Sequence, residues 1–283
     1  MDVLIVHGGA GRIKDKSDAR NGIHEALEAG YDALKHTGNA LEGALAAVRF
    51  MEDYPRFNAG TGSALTINGR CQMDASVMTS DGRFGAVGAI ESVRHPIDVA
   101  VRVMQDTDHL LIAGEWATRM ARYWGFPRYN PVTKLEQDRL AKIRAEGSAL
   151  LPRARKFLKF GTVGAVALDR YRRIAVATST GGVRGKLPGR LGDTAIYGAG
   201  TFACRDGGAS ATGLGEEVIK HMLCMTVCRL EARYAAQAAV DRALKTTKWV
   251  GVISIDRRGN IGYGNTTPDM SWGFRRGREE RVF

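Results

Sequence analysis

Cysteine and proline are both scarce in this chain of 283 residues, with 4 of one and 7 of the other. Cys71, Cys204, Cys224 and Cys228 form no C-x-x-C pair, which excludes zinc knuckles and a disulfide scaffold and leaves them as buried small thiols. No apolar run approaches the roughly 18 residues that cross a bilayer, so no membrane partner is expected. The opening Met1-Asp2-Val3-Leu4-Ile5-Val6-His7 has an acidic second residue and falls short of a signal peptide's apolar region, so a cytoplasmic protein is expected. With so little proline, the 35 glycines do not make the Pro-plus-Gly pattern of disorder, and 44% hydrophobic residues suffice for a sizeable core.

Positive charge, by contrast, is abundant. Lys and Arg number 41 against 30 Asp and Glu, a net charge of +11. Nucleic acid, an anionic surface or an acidic substrate would each suit that balance. Much of it lies between Lys134 and Phe160, a run without the interleaved aromatics of a base-stacking surface, and it reads as a solvated basic segment.

Two textures meet near residue 160. The first begins with a strand, Val3 to Val6, and a turn, His7 to Gly11, followed by helix-patterned stretches at Ala19–His36 and Ala40–Asp53. Ser63–Ile67, Cys71–Thr79 and Phe84–Ile90 read as strands, and Ile97–Gln105, Leu111–Tyr123 and Leu135–Ala145 as helices. The second texture is richer in strands: Thr162–Leu168, Ile174–Thr180, Ala199–Cys204 and Ala209–Thr212 precede one long helix over about 216–244. Val250–Ile255 and Ile261–Tyr263 follow as a strand pair. Strand groups separated by helix groups predict an α+β fold with two mainly antiparallel sheets sandwiched between helices.

Two nucleotide-like motifs fail on context. Gly198-Ala199-Gly200-Thr201-Phe202-Ala203 fits a dinucleotide pattern but runs into the turn Arg205-Asp206-Gly207-Gly208, where a helix is required. Gly181-Gly182-Val183-Arg184-Gly185-Lys186-Leu187 misplaces its glycines and has Leu where a phosphate loop needs Ser or Thr. His24, His36, His95, His109 and His221 lie outside any metal-ligand spacing.

Gly161-Thr162-Val163-Gly164-Ala165-Val166-Ala167-Leu168-Asp169 is the most informative segment. A Thr hydroxyl is a weak nucleophile and needs a base beside it. The residue's own α-amine, with a pKa of roughly 7.7–8.0, can serve if Thr162 becomes a chain N-terminus. Cleavage of Gly161–Thr162 would create that catalyst, and Gly161 tolerates the backbone strain of the attack.

A series of motifs extends this reading. Val6-His7-Gly8-Gly9-Ala10-Gly11, Phe57-Asn58-Ala59-Gly60-Thr61-Gly62, Met73-Asp74-Ala75-Ser76 and the Gly161–Asp169 segment come first. Thr178-Ser179-Thr180-Gly181-Gly182, Lys186-Leu187-Pro188-Gly189-Arg190-Leu191-Gly192-Asp193 and Thr212-Gly213-Leu214-Gly215-Glu216 follow in order. Together they resemble the plant-type asparaginase and isoaspartyl peptidase family of N-terminal-nucleophile hydrolases. The resemblance spans all but about 128–159 and the last dozen residues.

The resemblance implies a four-layer αββα sandwich in a single domain, residues 1–283. It would be cut into an α subunit, 1–161, ending in a basic flexible linker over about 128–161, and a β subunit, 162–283. Thr162 would be the nucleophile and Thr180 the residue that positions it. Arg190 and Asp193 would hold the α-carboxylate and α-ammonium of the substrate, a pairing that charge complementarity supports independently. The Thr212 hydroxyl and the Gly213 N–H would form the oxyanion hole, which their place before a helix N-terminus also suits, with Gly213 and Gly215 lining the substrate pocket. Asn58 would brace the nucleophile from a loop. That loop would hold a structural Na+ through the carbonyls of Met51, Glu52, Tyr54, Phe57, Ala59 and Thr61, no cofactor being needed for catalysis.

The implied substrates are asparagine and β-aspartyl dipeptides, and the implied assembly is a dimer of processed pairs with no nucleic acid. Gly161 sets the chain apart from the glycosylasparaginases, which typically place Asp there. A glycosylasparaginase-type hydrolase is one alternative and a catalytically inactive, basic nucleic-acid-binding relative the other. The chain departs from the family's pattern at Leu214, Thr79-Ser80 and Asn265–Asp269.

Overall fold

A computed structural model describes residues 1–145 and 161–283. In chain order its strands begin with β1 (Val3–Gly11), β2 (Met73–Thr79), β3 (Phe84–Ile90), β4 (Leu111–Ala113), β5 (Thr162–Leu168) and β6 (Ile174–Thr180). They continue with β7 (Thr201–Ala203), β8 (Gly207–Gly213), β9 (Val250–Asp256), β10 (Ile261–Asn265), β11 (Asp269–Arg276) and β12 (Glu279–Val282). The helices are α1 (Lys16–Thr37), α2 (Ala40–Asp53), α3 (Pro96–Asp106), α4 (Gly114–Tyr123) and α5 (Lys134–Ala145), then α6 (Gly215–His221), α7 (Leu223–Glu231) and α8 (Ala236–Leu244).

Alternation along the strands sorts side chains into layers. Leu4 and Val6 of β1 and Val163, Ala165 and Ala167 of β5 face one way, onto Ile23, Leu27 and Leu34 of α1 and Leu45, Val48 and Met51 of α2. Val3, Ile5, Val166, Leu168, Ile174 and Val176 face the other way and meet Ile253 and Ile255 of β9. The far side of that second sheet, at Ala209, Ala211, Val250 and Val252, carries Leu223 and Val227 of α7 and Val240 of α8. Burial stabilises each such Leu or Ile by about 1.5–3 kcal/mol. The result is the expected α+β sandwich of four layers, helices outside and two sheets within.

The large sheet runs β12-β11-β1-β5-β6-β2-β3-β4 and the small one β10-β9-β8-β7. Among the described residues, every pairing between these strands is antiparallel except β3 with β4. Local signals set the helix ends: Asp15 caps α1 through the Asp18 N–H at 3.0 Å, Gly38 ends it, and Asn39 opens α2 through the Leu41 N–H at 3.0 Å.

Several expectations need correction. The long helix expected over 216–244 is three helices, because Met222 takes a left-handed conformation, φ 44°, between α6 and α7, and the chain turns again before α8. The Ser63–Ile67 strand reduces to a single bridge between Thr66 and Lys186. The expected turn at His7–Gly11 continues β1, with a bulge between His7 and Gly9. Leu111–Ala113 pairs beside β3 instead of opening α4, and β11 and β12 were not foreseen. Of the basic linker expected over about 128–161, residues 134–145 form α5, which buries Leu140 and Ile143. Residues 146–160 lie outside the described residues.

Candidate active site

The layer between the sheets changes character along its length. At one end it is wholly apolar; at the other, the same inward-facing positions carry hydroxyls. Thr162 opens β5 directly opposite Thr180, the last residue of β6, and their side chains meet with the Thr162 hydroxyl donating to Thr180 Oγ1 at 3.1 Å. Thr180 Oγ1 also accepts the Gly182 N–H at 2.9 Å, which fixes its rotamer. From the second sheet, Thr212 Oγ1 accepts the backbone N–H groups of Thr162 and Ala10, each at 3.3 Å.

Beneath these residues runs a buried polar chain. His7 Nε2 meets Ser210 Oγ at 2.9 Å, Ser210 meets Thr178 at 2.8 Å, and Thr201 donates to Thr178 at 2.7 Å. Ser76 closes the chain, 2.7 Å from Thr201 and 2.6 Å from the Thr194 carbonyl. Burial, only partly offset by the backbone of Thr162, pushes the His7 pKa down to about 3, so the ring is neutral and joins the chain without a charge.

The Gly161–Thr162 junction is tightly walled. Gly9, at φ 115°, lies so close that a Cβ there would stand 2.7 Å from Gly161 Cα. Asn58 fixes the turn beyond Thr180: its Nδ2 donates to the Gly182 carbonyl, its Oδ1 accepts the Ala64 N–H, both at 2.7 Å, and its carbonyl accepts the Gly181 N–H at 2.8 Å.

Arg190 and Asp193 stand on the loop after β6, and Asp74 of β2 pins that loop. One Asp74 oxygen accepts the Ala89 N–H and the other the Gly192 N–H, each at 2.8 Å. Gln72 accepts the Gly189 N–H at 2.8 Å, and the Lys186 ammonium donates to the Gln72 carbonyl at 2.7 Å. Arg190 does not bond to Asp193; it pairs with Glu216 of α6 at 2.8 Å. Asp193 is buried, its Oδ2 has no hydrogen-bond partner among the described residues, and burial raises its pKa to about 7 against the opposing pull of Arg190. Gly215 makes room for both: a Cβ there would lie 2.7 Å from Asp193 Oδ1 and 2.9 Å from Arg190 Nη2.

A small pocket gathers these parts, with Gly161, Thr162 and Thr180 on one wall and Arg190, Asp193, Gly213 and Gly215 on the other. The Thr162 hydroxyl, the partly buried Arg190 guanidinium and the buried Asp193 carboxyl thus line one narrow pocket, a set of groups whose chemistry suits a small zwitterion. Thr212 and Gly213 end a strand, and the helix behind them has only seven residues, so the expected contribution of a long helix dipole does not apply. Of the carbonyls named for a cation, those of Met51 and Glu52 lie in the last turn of α2, and the rest lie with Asn58 in the loop that follows. There the Glu52 carbonyl accepts the Thr61 N–H at 2.7 Å and that of Tyr54 the Phe57 N–H at 3.0 Å. The buried Glu52 carboxyl accepts from Ser179 Oγ at 2.5 Å and the Ile97 N–H at 3.2 Å, and burial raises its pKa well above the usual value.

Sequence reasoning assigned no part to His7, Asp74, Thr178, Ser210 or Glu216. His7 and Asp74 sit inside quoted motifs, and the alternation of Thr178 with Thr180 and of Ser210 with Thr212 was the available signal for the hydroxyl chain.

The whole chain, residues 1–283, matches the family described as Asparaginase. It is 41% identical over 297 residues to a plant-type L-asparaginase of Pyrococcus abyssi, covering 97% of this chain and 96% of that protein. A plant-type L-asparaginase of Pyrococcus furiosus is 42% identical over 299 residues, again 97% of this chain and 96% of the relative. An isoaspartyl peptidase/L-asparaginase of Bos taurus is 40% identical over 284 residues, 95% and 92%. The chain belongs to this asparaginase family of hydrolases.

Proposed function

We propose, with that membership as the premise, that the protein cuts itself between Gly161 and Thr162 and then hydrolyses the side-chain amide of asparagine and the isopeptide bond of β-aspartyl dipeptides. The observation that carries this reading is the position of Thr162. Its hydroxyl lies 3.1 Å from Thr180 Oγ1 and its nitrogen 3.3 Å from Thr212 Oγ1, on the wall of a pocket that holds Arg190 and Asp193.

In the self-cleavage step Thr162 Oγ attacks the Gly161 carbonyl carbon, the peptide C–N bond breaks as an ester forms, and water hydrolyses the ester. Gly161 keeps a carboxylate and Thr162 a free amine. In turnover that amine takes the Thr162 hydroxyl proton while Oγ attacks the substrate's side-chain carbonyl. The oxyanion faces Thr212 Oγ1 and the Gly213 N–H. The leaving ammonia or amino acid accepts the proton, and water then releases aspartate from the acyl-enzyme. Arg190 holds the substrate's α-carboxylate and Asp193 its α-ammonium, which accounts for a buried carboxylate oxygen without a partner.

The loop after α2 is suited to a structural Na+. No basic residue stands in the last turn of α2 to neutralise its carbonyl end, and the loop folds back on that end through Thr61. Met51, Glu52, Tyr54, Phe57, Ala59 and Thr61 would supply carbonyl oxygens. The ion's part is to stiffen the loop that carries Asn58. Two processed pairs would assemble as a dimer, a mass that light scattering reads directly.

Intact-mass spectrometry of the wild type beside Thr162→Ala tests the central claim, with aspartate release from asparagine and β-aspartyl-leucine measured alongside. Fragments of 1–161 and 162–283 in the wild type alone, with activity following them, are expected. A wild-type chain that stays whole and inactive would overturn it.

A further inference from the structure

A second, larger cleft of about 190 Å³ lies beside the scissile junction, bounded by the end of β1, the start of α1 and the loop after α2. Among the described residues its lining carries five cationic side chains, Arg12, Lys14, Arg56, Arg139 and Arg184, against two acidic ones, Asp15 and Asp18. Those acids are engaged, since Arg56 binds Asp18 at 2.9 Å and Asp15 at 3.6 Å. Arg184 binds Glu136 of α5 at 2.9 Å, and Arg139 binds it too. Arg12 and Lys14 are exposed and enter no ion pair among the described residues, although Arg12 stands near Asp269, which Lys16 binds at 2.8 Å. The cleft therefore presents positive charge to whatever enters it.

Among the described residues, Gly161 alone lines both this cleft and the small pocket of Thr162, Arg190 and Asp193. The two cavities therefore meet at the bond proposed to be cut. The aspartyl half of a β-aspartyl dipeptide matches the small pocket, whose guanidinium and carboxylate answer its two α-groups. What remains is an amino acid with a free carboxylate, joined at the bond being broken. Asparagine has no such half, because its leaving group is ammonia.

We propose that the basic cleft is the subsite for the leaving residue of β-aspartyl dipeptides, with Arg12 and Lys14 meeting its C-terminal carboxylate. The inference rests on the Thr162 reading given above and adds to it a basis for substrate choice. Selectivity for a free terminal carboxylate is set on the α fragment, while the chemistry is set on the β fragment. The new carboxylate of Gly161 is the competing anion at this site.

The test uses the cleaved enzyme and an Arg12→Gln/Lys14→Gln variant, each with asparagine, β-aspartyl-leucine and β-aspartyl-leucinamide. The wild type should prefer the free acid to the amide by about fivefold in kcat/KM, mainly through KM, the scale of one solvent-exposed charge contact. In the variant that preference should fall to near one. An equal preference in both enzymes, or an equal loss on asparagine and both dipeptides as expected if the cleft only holds the Gly161 carboxylate, would overturn the subsite. Wild type inert toward asparagine and both dipeptides would instead overturn the Thr162 reading, so the two failures are distinguishable.

Discussion

Thr162 and Thr180 are direct cross-strand partners, the first residue of one strand against the last of the next, with their hydroxyls 3.1 Å apart. Sheet register alone therefore places the proposed nucleophile against its proposed positioning group, both of them on strands. Thr180→Val keeps the volume and removes the acceptor for both Thr162 Oγ and the Gly182 N–H. We expect kcat to drop about 10²-fold with KM little changed, a loss typical of one misplaced catalytic hydrogen bond. Steady-state kinetics on asparagine decide it; a change confined to KM would remove Thr180 from the reacting atoms.

Buried ionisable groups pull stability in opposite directions with pH. Asp193 has its pKa raised to about 7, so the folded protein keeps a proton that the unfolded chain releases above about pH 4. That contribution is complete below pH 4 and is lost as pH rises through 7. Glu231, raised by burial to about 8, acts in the same sense over a slightly higher range. His7, lowered to about 3, does the reverse: its contribution is present above about 6.5 and is lost as pH falls toward 3. Asp193→Asn, placed in an uncut Thr162→Ala background, should gain stability relative to that parent between pH 5 and 8. Urea midpoints measure the gap, and parallel curves for the two proteins would refute the assignment. The same carboxyl must be ionised to hold an ammonium, so KM should fall as pH rises through neutrality.

The proposed cation predicts an ion-specific effect. Exchanging Na+ for tetramethylammonium at constant ionic strength should lower the melting temperature and reduce kcat, because a site bound only in the folded state stabilises it by mass action. Differential scanning calorimetry in the two salts reads this, and identical traces would exclude the site.

Cysteine reactivity should be uneven. Cys204 has its pKa lowered to about 6, chiefly by the hydrogen bond from Cys228, whereas burial raises Cys71, Cys224 and Cys228. Iodoacetamide at pH 7 should therefore label Cys204 first, by about tenfold or more over the others, since thiolate fraction controls the rate. Cys228→Ala should slow that labelling. Peptide mapping by mass spectrometry measures both, and even labelling of all four would contradict the assignment.

The parts of the fold legible from sequence were those whose side chains alternate cleanly. β5 and β6 lie at the expected limits because Val, Ala and Thr repeat with period two and glycine or charge bounds them. What escaped notice lacked a local signal. Met222 breaks the helical run with left-handed backbone, yet methionine carries none of the marks of a breaker; β11 and β12 hide among Arg275, Arg276, Arg278, Glu279 and Glu280, charged because that edge of the sheet meets solvent. The site divides the same way. Thr162, Arg190 and Asp193 announce themselves by residue type. Glu216 as the partner of Arg190, Asp74 as the anchor of the Arg190 loop and Ser210 under His7 depend on contacts between residues 26, 118 and 203 positions apart, which no pattern along the chain encodes.

The strand order has a consequence for time. β1 lies between β11 and β5, and β6 lies against β2, so segments from either side of residue 161 alternate across one sheet at three seams. Folding of the continuous chain is a first-order event, and Thr162 reaches its partners only when that sheet has closed. If the chain is cut after Gly161 as proposed, unfolding releases two molecules that must find each other again, and recovery becomes second order in concentration. Assembly then runs in one direction: a molecule that has matured and lost its structure cannot retrace the route by which it first folded.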